Sequence, residues 1–373
     1  VLTPPLEKLL REELGVALPQ ELIKRHIENY RLHSDNADVL LDGSAASEPT
    51  YTVRRVMFDR FLLKKAEEAG AEVIRSRVTG IEFLNVRGLD EARVYSESQY
   101  LRADVVVGAF GLDEAMLDHW ERATEQATPY KRPQKLLKTF ITKIHTDPAF
   151  IDSTLGNTIH AFLLSGPRVE FGAVTPKGDH IIINIAGKNV CSLDLDEFLD
   201  RSQVSVLLPQ YDRDFIDFYA GHFPTSPASN PYGHRYVLVG DATGWMRPFK
   251  GKGINTALVT GIRAADTIFE RGFSVKAFEG YARNCADLME DYYYGLAVRY
   301  LCRFSRSLGL FDSALRMAGS DERLRDVFFM AVSGEDSYRN ILLRLLCPST
   351  FRKLVLSSGM HLFRRLRPTR APV

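Results

Sequence analysis

The 373-residue sequence lacks several features that would assign it directly to a class of protein. Its four cysteines, Cys191, Cys285, Cys302 and Cys347, form no Cys-x-x-Cys or Cys/His pattern with the spacing of metal ligands. Its nine histidines include no His-Glu-x-x-His pair. We therefore expect no metal site, and we interpret the isolated cysteines as reduced thiols of a cytoplasmic protein.

Long apolar runs and an excess of charge are also absent. No uninterrupted apolar stretch approaches the ~20 residues of a bilayer-spanning helix. The 48 basic residues nearly balance the 47 acidic ones, which excludes a polycation that neutralises nucleic acid along its whole surface. What is present is a globular composition with 45 % hydrophobic residues, enough to bury a sizeable core.

The first third of the chain has the pattern of an α/β protein. Leucines at helical spacing after Thr3-Pro-Pro predict a helix that ends at Gly15, and a second helix is predicted to end at Gly70. We expect a short strand over 71–74 and exposed strands over 78–101, with a turn at Gly88. The apolar run 103–108 is typical of a strand buried on both faces.

The middle of the chain alternates between apolar and polar residues, which predicts an antiparallel sheet with a helix over 193–208. The α/β pattern returns with a buried strand over 236–240 and a helix over 253–269. We therefore predict an α/β domain formed by 1–118 and 234–275, an inserted antiparallel-sheet domain over 119–233, and a helical region over 276–373.

The segment Gly240-Asp-Ala-Thr-Gly-Trp-Met-Arg-Pro-Phe-Lys-Gly-Lys-Gly-Ile-Asn-Thr-Ala257 carries the clearest chemistry. The Asp241 carboxylate follows a buried strand, where open α/β sheets hold ligands, and it can accept hydrogen bonds from hydroxyl groups. Gly251 and Gly253 precede a helix whose free N–H groups favour an anionic or electron-rich partner. On these residues alone, a strand–loop–helix crossover with an aspartate cap is an equally open interpretation.

This segment resembles the second flavin motif of FAD-dependent oxidoreductases with the para-hydroxybenzoate-hydroxylase-like fold. Within that group, three more segments resemble the geranylgeranyl reductase family. They are Thr3-Pro-Pro-Leu6 through Gly15, Arg55-Val-Met-Phe-Asp59 with the helix up to Gly70-Ala-Glu-Val73, and Ala103-Asp-Val-Val-Val-Gly-Ala-Phe-Gly111. The resemblance implies a Rossmann-like, three-layer FAD domain with an inserted sheet domain for the substrate.

The resemblance also implies cofactor contacts. Gly240 and Asp241 would meet the ribityl chain, and the N–H groups of Gly253 and Ile254 would face the pyrimidine side of the flavin. Arg55 would approach the pyrophosphate or ribityl region, although a surface salt bridge to Asp59 or Glu68 explains it as well.

The backbone at Val78 would meet the adenine. The G-x-G-x-x-G fingerprint that holds the FAD pyrophosphate does not occur in the sequence. We expect it, with its strand, upstream of Val1 in a longer protein, and we expect these 373 residues alone to bind FAD poorly; a natural protein that has lost the motif is the alternative.

On the substrate side, the family has a Tyr-x-Trp-x-Phe-Pro-Lys stretch, and here it reads Phe171-Gly-Ala-Val-Thr-Pro176-Lys177. Ala173 and Thr175 replace two aromatic residues, so we expect a cavity that is wider or differently shaped, a change that bears on the prenyl substrate and not on the flavin. A plain hairpin with a Pro-Lys-Gly-Asp turn is the alternative. The catalytic residue stays unassigned, and Lys177 and Tyr51 are candidate proton donors by position only.

The C-terminal stretch 337–370 is basic and amphipathic. Residues 337–373 hold eight basic residues and no acidic one: Arg339, Arg344, Arg352, Lys353, Arg364, Arg365, Arg367 and Arg370. Such a stretch favours peripheral contact with an anionic membrane, here at its inner face. A helical cap with a solvated basic face is an equally open interpretation, and nucleic-acid binding is not expected because aliphatic residues lie between the basic ones.

These observations predict a flavoenzyme that reduces C=C bonds of a hydrophobic, isoprenoid or lipid substrate. FAD would be the cofactor, and NAD(P)H or another electron donor would reduce it. Two alternatives stay open: a monooxygenase or other flavoenzyme on the same fold, and a non-catalytic lipid- or membrane-binding protein on a degenerate flavoprotein scaffold.

Overall fold

A computed structural model describes residues 1–43, 48–86, 89–126, 128–213, 217–248 and 252–348, together with Arg352. Gly88, Gly251 and the residues after Arg352 lie outside this part. The strands are β1 (Ile23–Ile27), β2 (Asn29–His33), β3 (Asp38–Asp42), β4 (Thr50–Val53), β5 (Val78–Val86), β6 (Leu89–Ser96), β7 (Tyr100–Ala103), β8 (Val106–Gly108), β9 (Leu136–His145), β10 (Thr158–Phe162), β11 (Val169–Pro176), β12 (His180–Gly187), β13 (Phe218–Pro224), β14 (Tyr232–Gly233) and β15 (Tyr236–Leu238).

The helices are α1 (Leu6–Leu14), α2 (Arg55–Glu68), α3 (Glu114–Thr124), α4 (Pro148–Thr154), α5 (Ser192–Asp200), α6 (Ser202–Ser205), α7 (Gly253–Arg271), α8 (Val275–Asn284), α9 (Ala286–Ser307), α10 (Leu310–Ala318), α11 (Glu322–Ser333) and α12 (Tyr338–Leu345). The predicted end of the first helix is confirmed, because Gly15 caps α1 in the left-handed conformation at φ 63°. The predicted helix over 253–269 is confirmed as α7, and helices α8–α12 occupy the described part of the region that was predicted to be helical.

A seven-stranded sheet in the order β13-β9-β12-β11-β10-β2-β3 is the largest in the described residues. Its pairs are antiparallel except β10 with β2, which are parallel. The predicted antiparallel sheet is therefore confirmed, and β2 and β3 extend it. These two strands come from the first 118 residues, yet they complete the sheet of the middle segment; the domain boundaries stay a prediction.

Apolar residues cover both faces of this sheet. On one face, Ile181, Ile183 and Ile185 of β12 pack in a cluster with Phe198 of α5 and Val204 of α6. On the other face, the cluster joins β2 and β10 to α10 and α11, and it contains Leu32, Ile159, Phe311, Leu315 and Leu324. Helices on both faces thus bury the middle strands of the sheet, whereas the edge strand β13 is largely exposed.

A smaller sheet, β14-β15-β8, has β15 and β8 parallel, and its β15 leads into a 3₁₀ turn over Gly240–Thr243. The predicted strand over 103–108 is wrong in extent and burial. Only Val106–Gly108 forms β8, and Val107 is 44 % exposed. The physical reason is that β15 is the one strand paired with β8 among the described residues, so β8 lies at an edge of the described sheet.

Two further expectations need correction. Residues 71–74 form no strand, because this exposed segment pairs with no described strand. The helix expected over 193–208 is divided at Arg201, whose extended backbone (φ −60°, ψ 132°) ends α5 and begins α6. The exposed strands predicted over 78–101 are confirmed as the antiparallel sheet β5-β6-β7.

Two histidines lie buried side by side in the large sheet. Nε2 of His33 and Nδ1 of His160 are 3.0 Å apart and share a hydrogen bond. The His33 ring stacks on Phe162 with 4.5 Å between centroids. Burial lowers the pKa of His33 to about 4 and that of His160 to about 3. Both imidazoles are therefore neutral at physiological pH.

Acid is expected to destabilise the fold through this pair. Unfolded histidines bind a proton near pH 6.5, whereas the folded pair binds it only near pH 4 and 3. Stability is therefore lost as the pH falls through this window. Between pH 7.5 and 5, urea titration should show a loss of at least about 1 kcal/mol in the free energy of unfolding.

In the double variant His33→Asn/His160→Asn, that loss should shrink. His222→Asn serves as the control because His222 is exposed. An unchanged acid-side loss in the double variant would show that the pair does not cause it.

Candidate functional site

The candidate site lies where α1, α2 and α7 meet. An apolar cluster joins Leu6 and Leu10 of α1 to Phe58 of α2, and Ile254 and Leu258 of α7 pack against it. The starts of α2 and α7 are both close to Asp241, because the Arg55 charge acts on that carboxylate and Gly253 lies against it. The Ile254 side chain is used for packing, so only its backbone N–H group is left for a ligand.

The turn over Gly240–Thr243 places Asp241. Gly240 has φ 65°, and a Cβ at this position would lie 3.3 Å from the Cβ of Ala257. Its N–H group donates to Oγ1 of Thr260 at 2.9 Å, and the Thr243 hydroxyl donates back to the Gly240 carbonyl at 2.7 Å. Glycine is therefore required here, both for its backbone conformation and for the close approach of α7.

Asp241 faces the first residue of α7. A Cβ on Gly253 would lie 3.2 Å from Oδ1 of Asp241, so the glycine leaves the carboxylate open on that side. No described residue donates a hydrogen bond to this carboxylate. Burial raises the pKa of Asp241, and the Arg55 guanidinium opposes that shift. The site thus combines a carboxylate with acceptor capacity and a helix N-terminus with free N–H donors, which fits a ligand that carries hydroxyl groups and an electron-rich ring.

Arg55 and Val78 occupy different places. Arg55 begins α2, and its Nε donates to Oδ1 of Asp59 at 2.6 Å. The ion pair of the alternative interpretation is therefore present, and the Arg55 charge also acts on Asp241. Val78 begins β5 and packs on a separate cluster around Trp120. The structure thus brings Gly240, Asp241 and Gly253 together, with Arg55 near them, while Val78 belongs to another part of the core.

A cavity of about 270 Å³ borders the start of α7. Three of the predicted substrate residues, Phe171, Ala173 and Thr175 of β11, line it. The other described lining residues are mostly apolar and come from the first residues of the chain, from β2, β10, β11, β12 and α11, and from the positions just after β10 and just before α7: Val1, Thr3, Tyr30, Leu32, Ile159, Ala161, Phe162, Leu163, Gly172, Asn184, Lys252, Ala331 and Val332. This composition suits an apolar ligand.

Pro176 and Lys177 are not among the lining residues. The Lys177 ammonium donates to the backbone carbonyl of Val53, and burial lowers its pKa to about 8. Tyr51 is also directed elsewhere, since its hydroxyl donates to Glu7 at 2.9 Å. The two proton donors proposed by position are therefore not brought to the cavity.

Sequence reasoning missed Lys252, Tyr30 and Leu32 as lining residues. The sequence did contain a signal for Lys252, because a charged residue between two glycines at the start of a helix is rarely there to fill a hydrophobic core. The signal for Tyr30 and Leu32 was their period of two on β2. That β2 lies beside β10 could not be read from local pattern.

Two negative findings apply to the described residues. No group of three or more His, Cys, Asp or Glu residues among them could hold a metal ion. Every described helix is too short or too polar to cross a lipid bilayer.

Comparison with known proteins also supports a relationship to the geranylgeranyl reductases. No protein-family model matches the chain. The sequence is 26 % identical over 294 residues to digeranylgeranylglycerophospholipid reductase 1 of Methanococcoides burtonii, covering 74 % of this chain and 67 % of the relative. It is 30 % identical over 271 residues to digeranylgeranylglycerophospholipid reductase of Methanoculleus marisnigri, covering 68 % and 65 %. The chain thus spans about two thirds of the length of these curated relatives.

Solved structures share the fold. A geranylgeranyl bacteriochlorophyll reductase-like protein of Thermoplasma acidophilum superimposes with a TM-score of 0.72 at 18 % identity, covering 95 % of this chain and 88 % of that chain. The flavin-dependent brominase Bmp2 superimposes with a TM-score of 0.62 at 15 % identity, covering 98 % and 89 %. The predicted α/β fold class is confirmed.

An indole at position 173 is expected to fill the cavity. In Ala173→Trp, the affinity for a neutral apolar dye such as N-phenyl-1-naphthylamine should fall at least about tenfold, because the dye and the indole compete for one volume. Fluorescence titration measures it. Lys188→Trp adds the same indole on an exposed turn and should leave dye binding unchanged; equal affinity in the Ala173→Trp variant would show that the dye binds elsewhere.

Proposed function

The chain belongs to the geranylgeranyl reductase family of FAD-dependent oxidoreductases, and we propose on this basis that it reduces C=C bonds of an isoprenoid or other lipid substrate with a bound FAD. One observation carries the proposal: the open Asp241–Gly253 arrangement and the apolar cavity meet at the start of α7, where Lys252 lines the cavity. A cofactor held on one side would therefore face a substrate held on the other.

The residues present fit a flavin. The Asp241 carboxylate has acceptor capacity for a ribityl hydroxyl, and the N–H groups of Gly253 and Ile254 suit the pyrimidine edge. The positive end of the α7 dipole would stabilise negative charge on that edge. When bound, the reduced flavin supplies a hydride to the substrate. NAD(P)H or another electron donor would reduce it.

The cavity favours a hydrophobic substrate. Ala173 and Thr175 stand where the family has aromatic residues, and the volume they leave open accepts a chain with branching methyl groups. Both relatives are named for reduction of digeranylgeranylglycerophospholipid, which agrees with this lining. A flavin enzyme that uses oxygen is the second candidate, because the brominase Bmp2 has the same fold.

We also propose that 337–370 contacts the inner face of a membrane. Of this stretch, the structure describes 337–348 and Arg352. Leu343 and Leu346 of that part are 59 % and 58 % exposed, while Arg339 and Arg344 form ion pairs with Glu290 and Asp336. The exposed leucines beside basic residues suit the headgroup region of an anionic bilayer.

Removal of the Asp241 carboxylate is expected to weaken flavin binding. In the full-length protein, Asp241→Ala should lower the FAD content, read from visible absorbance, at least about tenfold because a charged hydrogen bond to the cofactor is lost. Asp266→Ala is the matched control, since Asp266 lies exposed on the same α7. Unchanged flavin content in Asp241→Ala would show that the carboxylate does not hold the cofactor.

The reaction itself is tested under argon. Protein with its flavin reduced by dithionite should convert geranylgeranyl lipid to products two hydrogens heavier, read by mass spectrometry, and Asp241→Ala should lose this conversion. A product that forms only with oxygen would favour the monooxygenase. Protein that binds vesicles but never takes up flavin would favour the non-catalytic lipid-binding alternative.

Membrane contact is tested by cosedimentation with vesicles. Binding to phosphatidylglycerol vesicles should exceed binding to phosphatidylcholine vesicles, and Arg364→Glu/Arg365→Glu/Arg367→Glu should reduce it several-fold because basic residues add attraction to the anionic surface. Arg60→Glu/Lys64→Glu/Arg75→Glu makes the same charge change at exposed positions elsewhere. An equal loss in both triple variants would argue against a dedicated C-terminal contact.

A further inference from the structure

Lys252 stands immediately before α7, in the left-handed conformation at φ 59°. Its ammonium Nζ donates to the carbonyl of Pro4 at 2.6 Å and to the carbonyl of Gly334, the residue that caps α11. A lysine ammonium has three donors, so these two carbonyls leave one N–H for another acceptor. The side chain is thereby held at the wall of the cavity that it lines.

The space around Lys252 is built for this side chain. Gly334 has φ 72°, and a Cβ there would overlap Cε of Lys252. Arg247 donates to the same Gly334 carbonyl at 3.0 Å. The ammonium is thus enclosed by backbone from the start of the chain and from the end of α11.

The charges around the ammonium are mixed. Burial is the largest influence on its pKa, and Arg247 lowers it further, while Glu335, Glu48 and Asp291 raise it. The balance lowers the pKa of Lys252 to about 7. The group therefore exchanges a proton readily at neutral pH.

The cavity offers few groups that can give a proton. Among the described lining residues, Tyr30 and Lys252 have the only titratable side chains. The Tyr30 hydroxyl donates to Thr50 at 3.3 Å, and burial raises its pKa to about 12. Lys252 is therefore the better acid at neutral pH.

Resting on the proposed function, we propose that Lys252 is the general acid of the alkene reduction. A bound reduced flavin would supply the hydride for one carbon of the double bond, and the π electron pair would form a C–H bond at the other carbon with a proton from Nζ of Lys252. The alkene gains two hydrogens, the flavin is oxidised, and Lys252 becomes a neutral amine that recovers its proton from water.

Two substitutions separate acid chemistry from charge. Lys252→Arg keeps a cation and its hydrogen bonds, but a guanidinium does not release a proton at neutral pH. Lys252→Ala removes both. Single-turnover reduction by the pre-reduced holoenzyme should fall on the order of 100-fold in each variant, and methylamine should restore much of it in Lys252→Ala only. In the wild type the rate should fall as the pH rises above about 7, and Lys252→Arg should lose this dependence.

A second readout does not use activity. Trace acetylation of the flavin-free protein across pH 6–11, followed by peptide mass spectrometry, titrates individual lysines. Lys252 should react with a midpoint near 7 and Lys177 with a midpoint near 8. Melting temperature and flavin content identify a variant that fails to fold.

The outcomes are distinct. A wild type that binds flavin but reduces no alkene overturns the proposed function, and this role with it. Alkene reduction that survives intact in Lys252→Arg, with its pH profile unchanged, overturns the role of Lys252 alone. A labelling midpoint near 10.4 for Lys252 also counts against the acid. Amine rescue of Lys252→Ala with a shifted midpoint supports it.

Discussion

The anchoring of the start of α7 to distant backbone is the contact on which the site depends. Nδ2 of Asn255 donates to the carbonyls of Thr3 and Pro4, each at 3.1 Å, and Lys252 donates to Pro4 and Gly334. These bonds join the first residues of the chain to α7 and to the end of α11. Because Asp241 faces Gly253, these bonds also fix the position of the α7 N-terminus relative to the Asp241 carboxylate.

A second layer of polar contacts supports this anchor. Arg247 donates to the carbonyls of Gly334 and Asp336, forms an ion pair with Asp291 at 3.0 Å, and lies 4.1 Å from the ring centroid of Tyr338. One guanidinium therefore ties the segment before α7 to α9, α12 and the loop between α11 and α12. The guanidinium is planar and has five donors, so it can reach two carbonyls and a carboxylate while its face lies against the Tyr338 ring.

Local pattern was enough to predict some parts of the site and not others. Asp241 after a buried strand and a helix from Gly253 could be predicted, because a strand end and a helix start depend on neighbours in sequence. The addition of β2 and β3 to the large sheet could not, since it depends on pairing with β10. The same reason explains why Lys252 lines the cavity and Lys177 does not. The tertiary fold decides which backbone carbonyl each ammonium contacts, and only Lys252 contacts carbonyls beside the cavity.

The parallel pairing of β2 with β10 has a consequence for how the chain is made. Residues 29–33 can pair with β3 at once, but their parallel neighbour β10 exists only after residues 158–162 have been synthesised. The cavity is complete only after Lys252 and Ala331 have been synthesised. The apolar lining is therefore exposed to water while most of the chain is being synthesised. The same surface that would hold a lipid is, until then, a surface that a chaperone would have to shield.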